Sequence, residues 1–76
     1  MTLEPHQQRV VSEKAELDER ILKLHAFIQE SHIFRALPED DQDRLKRQHV
    51  AMADYSGILG ERIAAFGYQH RRVANR

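Results

Sequence analysis

The distribution of proline and glycine is the feature that most limits what this chain can fold into. Its two prolines are Pro5 and Pro38, and none of its three glycines precedes Gly57. Proline is favoured at the start of a helix and disfavoured inside one. The pattern therefore predicts an all-α chain with one helix beginning near Pro5 and a second beginning near Pro38.

Apolar residues mark the buried face of the first helix. Between Pro5 and Glu30 they recur at intervals of three, four and seven, at Val10, Leu17, Ile21, Leu24 and Ile28. This spacing places them on a single helical stripe. We predict a helix over about residues 5–30, followed by a connection over 31–37 in which Phe34 and Leu37 cover the end of the helix pair.

The second helix is predicted from its acidic start and its own apolar stripe. The acids after Pro38 suit the exposed N–H groups of a first helical turn. The stripe consists of Leu45, Met52, Tyr55, Leu59, Ile63 and Phe66. We predict a helix over about 38–66 and a basic tail over 67–76, whose conformation the pattern leaves open. The chain is then one domain, 1–76, forming an antiparallel two-helix hairpin with a short connecting turn.

Self-association is predicted because such a hairpin has more apolar surface than it can bury. A chain of 76 residues without cysteine has no disulfides to supplement a core that supplies only about 3–5 kcal/mol. Each helix also carries a second apolar line, comprising Val11, Ala15, Leu22 and Ala26 on the first, and Ala51, Ile58 and Ala65 on the second. We therefore predict a homo-oligomeric helical bundle.

Small residues form a face of their own on the second helix, at Ala53, Gly57, Gly60, Ala64 and Gly67. Glycine inside a helix costs about 0.8–1 kcal/mol relative to alanine. Close approach of another helix or of a ligand would compensate, and a local kink or early fraying near Gly57 is the alternative. The predicted oligomer interface is Ala53, Gly57, Ile58, Gly60 and Ala64.

Charge and composition exclude several classes of protein. Twelve basic and twelve acidic residues give a net charge of zero, which disfavours binding to nucleic acid or a membrane surface. No apolar run could span a bilayer, the start of the chain lacks a signal-peptide pattern, and cysteine is absent. We expect a cytoplasmic protein.

No catalytic, metal or cofactor site is predicted. The five histidines include no pair at the i, i+4 spacing of a helical zinc site. Neither Ser31 nor Ser56 has a base and an orienting acid at a known motif spacing. The acids at 39–43 lack the glycine turn of a calcium loop. We therefore expect a protein that is not an enzyme.

A basic, aromatic region near the end of the chain is the candidate ligand site. Arginine forks match phosphate oxygens, and aromatic rings stack on bases. Compensation of the helix dipole by a solvated tail is an equally good account of the basic residues. The predicted ligand-binding residues are Arg62, Tyr68, His70, Arg71 and Arg72.

Longer strings in the sequence resemble a family of small phage-encoded helical proteins related to those of crAss-like phages. The first half contributes Pro5-His6-Gln7-Gln8-Arg9-Val10, and the second contributes Gln48, Met52, Tyr55, Leu59, Arg62 and Ile63 in a fixed register. The resemblance covers residues 5–66. It implies a phage accessory protein, and by analogy a sponge that sequesters a nucleotide immune messenger without cleaving it.

Three functions remain open from the sequence. The leading hypothesis is an oligomer that sequesters a cyclic nucleotide or a cyclic ADP-ribose type of ligand in the cytoplasm of an infected bacterial host. The alternative is a protein-binding module that grips a host or virion protein through its apolar and small-residue faces. Binding of nucleic acid through the terminal arginines is the third and weakest, because the net charge is zero.

Overall fold

Three helices account for almost all of the chain. The computed structural model describes the backbone of residues 3–74 and the side chains of residues 3–67. Helix α1 is Pro5–Glu30, α2 is His32–Ala36 and α3 is Glu39–Ala74. Residues 3–74 contain no strand, so the prediction of an all-α chain is confirmed.

Helix α1 begins where Pro5 takes the first helical position after an extended Glu4. The Glu4 backbone N–H donates a hydrogen bond of 2.9 Å to the Gln7 side-chain oxygen. Gln7 is itself buried, so this bond satisfies a polar group that has little access to water. The start of α1 is thus set by proline geometry and by a side chain that returns to the backbone.

The connection between the long helices contains the short helix α2, which the sequence pattern did not predict. The extended Ser31 ends α1 and caps α2, because its hydroxyl accepts a hydrogen bond of 3.1 Å from the Ile33 N–H. Phe34 is 4 % exposed and meets Phe27 edge to face, with ring centroids 5.9 Å apart. Leu37, which precedes proline, is extended and ends α2.

Helix α3 is longer than predicted. It starts after Pro38, where the Gln42 side-chain amide donates to the Leu37 carbonyl at 2.9 Å. It then continues to Ala74, past the end that we predicted near residue 66. Glycine ends a helix by adopting a positive φ, and no described glycine does so. Gly67 therefore lies inside the helix, and the described part of the expected tail is helical.

Helices α1 and α3 pack side by side and run in opposite directions. Contacts pair early residues of α1 with late residues of α3, as Lys14 with Gly60, Asp18 with Ser56 and His25 with His49. The centre of the packing is a small core of Val10, Leu17 and Leu59, with Ile21, Met52, Ile63 and Phe66 packed around it. Leu59 has no exposed surface at all.

This core is thin for the size of the chain. The solvent-accessible surface is 6012 Å², whereas a compact monomer of this mass would expose about 4,800 Å². The shape explains the difference, because the principal extents are 59 × 16 × 16 Å. Much apolar surface is consequently exposed, at Val11, Leu22, Ile33, Val50, Tyr55 and Ile58.

Candidate functional site

The two long helices meet along two flanks with different chemistry. We call one the Tyr55 flank, comprising Arg9 and Glu13 of α1 with Tyr55 and Arg62 of α3. We call the other the glycine flank, and it comprises Lys14, Asp18 and His25 of α1 with His49, Ser56, Gly57 and Gly60 of α3. The core side chains lie between the flanks. Each flank is a separate candidate surface for binding.

Tyr55 connects the helices on its flank. Its hydroxyl donates a hydrogen bond to the Glu13 carboxylate. That bond, followed by partial burial and by the negative charge of Glu13, raises the pKa of Tyr55 above its usual value of 10.0. The side chain is nevertheless 43 % exposed. Our expectation that Tyr55 packs in the core is therefore wrong, since it is held at the edge by its hydroxyl, whereas Phe66 does pack on the core.

Two arginines accompany Tyr55. The positive charge of Arg62 acts on the tyrosine hydroxyl and slightly opposes the rise in its pKa. Arg9 lines an open, shallow cleft along α1 together with Pro5, Gln8, Ser12, Glu13 and Glu16. Among residues 3–67, no carboxylate forms an ion pair with Arg9 or Arg62. A guanidinium group can pair with phosphate oxygens, and an accessible aromatic ring can stack on a base.

The glycine flank is held by a partly buried polar contact between the helices. Ser56 is 8 % exposed, and its hydroxyl donates to one oxygen of Asp18. Lys14 donates to the other oxygen at 2.8 Å. The hydrogen bond from Lys14, and then that from Ser56, lower the pKa of Asp18 below its usual value of 3.8. Asp18 is thus a charged group with both oxygens occupied.

The glycines of this flank have different surroundings. A Cβ at Gly60 would lie 3.3 Å from the Lys14 Cε, so Gly60 makes room for the lysine that reaches Asp18. A Cβ at Gly57 would meet nothing within 4 Å. Helix α3 continues through both positions, so early fraying near Gly57 is not observed. Gly60 is explained within the chain, and Gly57 is not.

His25 and His49 face each other across the helices, with ring centroids 5.5 Å apart. They line a groove together with Ile28, Gln29, Lys46 and Val50. Spacings within one helix do not reveal this pair, whereas antiparallel pairing of the two apolar stripes would bring the two histidines together. In the described part of the chain no group of three or more potential ligands could hold a metal ion.

The structure describes the side chains of some predicted site residues and not those of others. Arg62 is exposed on the Tyr55 flank. The side chains of Tyr68, His70, Arg71 and Arg72 lie outside the described residues. Of the predicted oligomer interface, Gly60 is half-buried under Lys14, and the remaining members are exposed, namely Ala53, Gly57, Ile58 and Ala64.

Comparisons with known proteins give one result. No curated protein and no solved structure matches the chain. No helix among the described residues has the length and apolar character required to cross a bilayer. The model of the Sequestin family matches residues 4–65, which include α1, α2, the Tyr55 flank and the glycine flank. The chain therefore belongs to the Sequestin family.

Proposed function

We propose that this protein is a non-enzymatic, self-associating phage accessory protein that binds and sequesters a nucleotide-derived immune signal without cleaving it. The observation that carries the proposal is the match to the Sequestin family over residues 4–65, because the family's name denotes sequestration. The resemblance to small phage-encoded proteins supplies the biological setting, the cytoplasm of an infected bacterium. Cyclic dinucleotides and cyclic ADP-ribose isomers are the candidate signals.

The Tyr55 flank supports a nucleotide as the sequestered molecule. Arg62 and Arg9 offer guanidinium groups that match phosphate oxygens in a bidentate manner. Tyr55 offers a partly exposed ring for stacking, and its hydrogen bond to Glu13 fixes the orientation of that ring.

Self-association supports the same function. The cleft beside Arg9 is open and lies along a single helix, so one chain encloses little of a ligand. Ligand sites usually bury most of the ligand's surface. A second copy of the chain would supply the missing wall. We propose that the predicted ligand-binding residues of the tail, Tyr68, His70, Arg71 and Arg72, complete the site.

Thermal unfolding with a panel of cyclic dinucleotides and cyclic ADP-ribose isomers tests the proposal. A molecule that binds only the folded chain raises the melting temperature. We expect one compound to do so, and to be recovered intact after the protein is denatured. Recovery of a cleaved product would contradict sequestration, and no shift with any compound would remove the nucleotide assignment.

Variants localise the binding. Arg62→Ala and Arg71→Ala should each weaken binding of the active compound at least tenfold while helicity is retained. Arg47→Ala is the matched control, because Arg47 is an exposed α3 arginine paired with Asp43 at 3.0 Å, far along the helix from Tyr55. Equal binding by Arg62→Ala and Arg47→Ala would remove Arg62 from the site.

A protein-binding module is the second candidate. The observation in its favour is the exposed apolar line on the outer side of α3, where Ile58 is 53 % exposed. A helix of a host or virion protein could pack on that line. Retention of one specific bacterial protein by the wild-type chain, lost on Ile58→Asp and unaffected by Arg62→Ala, would favour this function over sequestration of a nucleotide.

A further inference from the structure

One groove between the long helices collects side chains that carry nitrogen. Its lining is His25, Ile28 and Gln29 of α1 with Lys46, His49 and Val50 of α3. Imidazolium and ammonium groups carry positive charge and donate hydrogen bonds, and a side-chain amide also donates. None of the six lining residues is acidic. The groove therefore offers donors and positive charge without a carboxylate, which is the chemistry that an oxyanion requires.

The packing of the helices brings the two histidines together. Their ring centroids are 5.5 Å apart, and the ring planes are inclined at 37°. His25 comes from α1 and the half-buried His49 comes from α3, so the pair exists only when the helices pack in this register. Two imidazolium groups at such a separation repel each other, and an anion beside them offsets that repulsion. An oxyanion in the groove would therefore bind best to the protonated rings.

Lys46 adds an ammonium group to the same groove. In the described part of the chain no carboxylate forms an ion pair with it. The acid one turn earlier in α3, Asp43, is paired with Arg47 at 3.0 Å. Glu30 of α1 does not line the groove, and neither does any residue of α2. An anion in the groove would thus meet the ammonium group without competition from a lining carboxylate.

The size and charge of the groove indicate which ligand it suits. Its volume is about 280 Å³, just below the range of about 300–1,000 Å³ for pockets that enclose a drug-sized ligand. The ammonium group of Lys46 disfavours a divalent cation, and no group of three or more potential metal ligands is found among the described residues. A small oxyanion, such as a phosphate group, is the ligand that satisfies both conditions.

We propose that the groove lined by His25, His49 and Lys46 is a phosphate-binding site, with the Gln29 amide as a further donor. Its ligand is a phosphate ion or the phosphate group of a small organic molecule, whose apolar part would contact Val50, which is 59 % exposed. The groove lies on the glycine flank and shares no residue with the Tyr55 flank. The inference therefore goes beyond the proposed function and does not depend on it.

Nuclear magnetic resonance of the histidine side chains tests the inference, because each ring gives its own signals. The probes are inorganic phosphate and cyclic AMP at constant ionic strength, with chloride as the reference anion. Phosphate groups should shift the signals of His25 and His49 and leave those of His6, in the first turn of α1, unchanged. Tighter binding of inorganic phosphate would assign the groove to the free ion, and tighter binding of cyclic AMP to an organic phosphate. Absence of a shift at both rings with both probes would overturn the inference.

Acid should strengthen binding in the groove. Histidine side chains become protonated as the pH falls from about 8 to about 5, whereas cyclic AMP keeps a single negative charge. Its affinity should rise at least threefold between about pH 8 and about pH 6, and the double variant His25→Gln with His49→Gln should lose this dependence. A metal ion binds neutral imidazole and is displaced by protons. Binding of zinc without phosphate, and weaker in acid, would identify a metal site and refute the proposal.

Lys46→Ala should weaken phosphate binding at least fivefold. Lys23→Ala is the matched control, because it removes the same charge from an exposed lysine that pairs with Glu19 at 3.2 Å and does not line the groove. The control should weaken binding less than twofold. Circular dichroism should show the helicity of both variants unchanged, since both lysines are exposed. Equal losses in the two variants would mean unspecific attraction and would overturn the site.

The Tyr55 flank provides the remaining control. Arg62→Ala should leave the phosphate-induced shifts of His25 and His49 unchanged, because Arg62 lies on the other flank. If phosphate binds in the groove as described and no compound of the nucleotide panel raises the melting temperature, the groove stands and the proposed function fails. If a nucleotide raises the melting temperature and no probe shifts the two rings, the proposed function stands and the groove fails.

Discussion

The Ser56 hydroxyl of α3 donates a hydrogen bond to the Asp18 carboxylate of α1, and Lys14 donates to the other oxygen of the same group at 2.8 Å. Ser56 is buried and contributes the donor from the facing helix. This polar contact therefore holds α3 in one register on α1, in addition to the apolar core. In this register the Ser56 hydroxyl and both carboxylate oxygens of Asp18 have hydrogen-bond partners. A different register would leave the buried hydroxyl without a partner, which costs free energy.

The Asp18 contact predicts a stability that depends on pH in the acid range. The lowered pKa means that the folded chain favours the charged carboxylate. The stabilisation is complete above the usual pKa of 3.8 and is lost as the pH falls through the lowered folded-state value. Urea unfolding should show Asp18→Asn less stable than wild type near neutral pH, with the difference shrinking below pH 3.8. A difference that is constant over this range would contradict the assignment.

Tyr55 should ionise at a higher pH than an exposed tyrosine. The chain contains two tyrosines, so a Tyr68→Phe variant leaves Tyr55 as the sole tyrosine, and ultraviolet absorbance reports its titration directly. Because the Glu13 hydrogen bond is the largest cause of the raised pKa, Glu13→Gln should lower the pKa toward 10.0. The raised value also means that the contribution of Tyr55 to stability is present below pH 10.0 and is lost as the pH rises through the folded-state pKa. An unchanged titration in Glu13→Gln would refute the contact.

Adjacent residues of α3 should respond very differently to truncation. Leu59 has no exposed surface, and Leu59→Ala should reduce the free energy of unfolding by about 2–5 kcal/mol, through lost burial and a cavity. Ile58 is 53 % exposed. Ile58→Ala should therefore change the free energy of unfolding by less than about 0.5 kcal/mol. Denaturant unfolding of both variants at one protein concentration checks the pair, and similar losses would mean that α3 is rotated from the orientation described.

The glycines of α3 offer a second matched comparison. Gly67 has open space around the position of a Cβ, so Gly67→Ala should gain about 0.5–1 kcal/mol from helix propensity. Gly60→Ala should gain clearly less, because its methyl group would press on Lys14 at 3.3 Å and disturb the bond from Lys14 to Asp18.

A Lys14→Ala background isolates the cause of that difference, since Gly60→Ala should then gain as much as Gly67→Ala. Thermal unfolding of the four variants provides the comparison. If Gly60→Ala stabilises the chain as much as Gly67→Ala when Lys14 is present, the packing of Lys14 over Gly60 is not significant in solution.

The sequence by itself determined where the two long helices begin and which face of each is buried. Proline at positions 5 and 38 places the helix starts, and the spacing of Val10, Leu17 and Leu59 identifies the core. These features depend on neighbours along one helix, with its fixed period of 3.6 residues. The sequence predicted a connection at 31–37 without resolving it as the short helix α2, and it left the conformation after Gly67 open, because a single cap at Ser31 and a glycine inside a helix are weak local signals.

Only the tertiary structure decided what lies across the helix pair. The contacts of Tyr55 with Glu13, of Ser56 with Asp18 and of His25 with His49 join residues that are far apart in sequence. Their partners depend on the register and rotation of α3 on α1, and a periodic stripe fixes neither, because several registers bury the same apolar residues. The side chains that distinguish those registers are polar ones at the edges of the core, which is why the two flanks could be described only after the helices were packed.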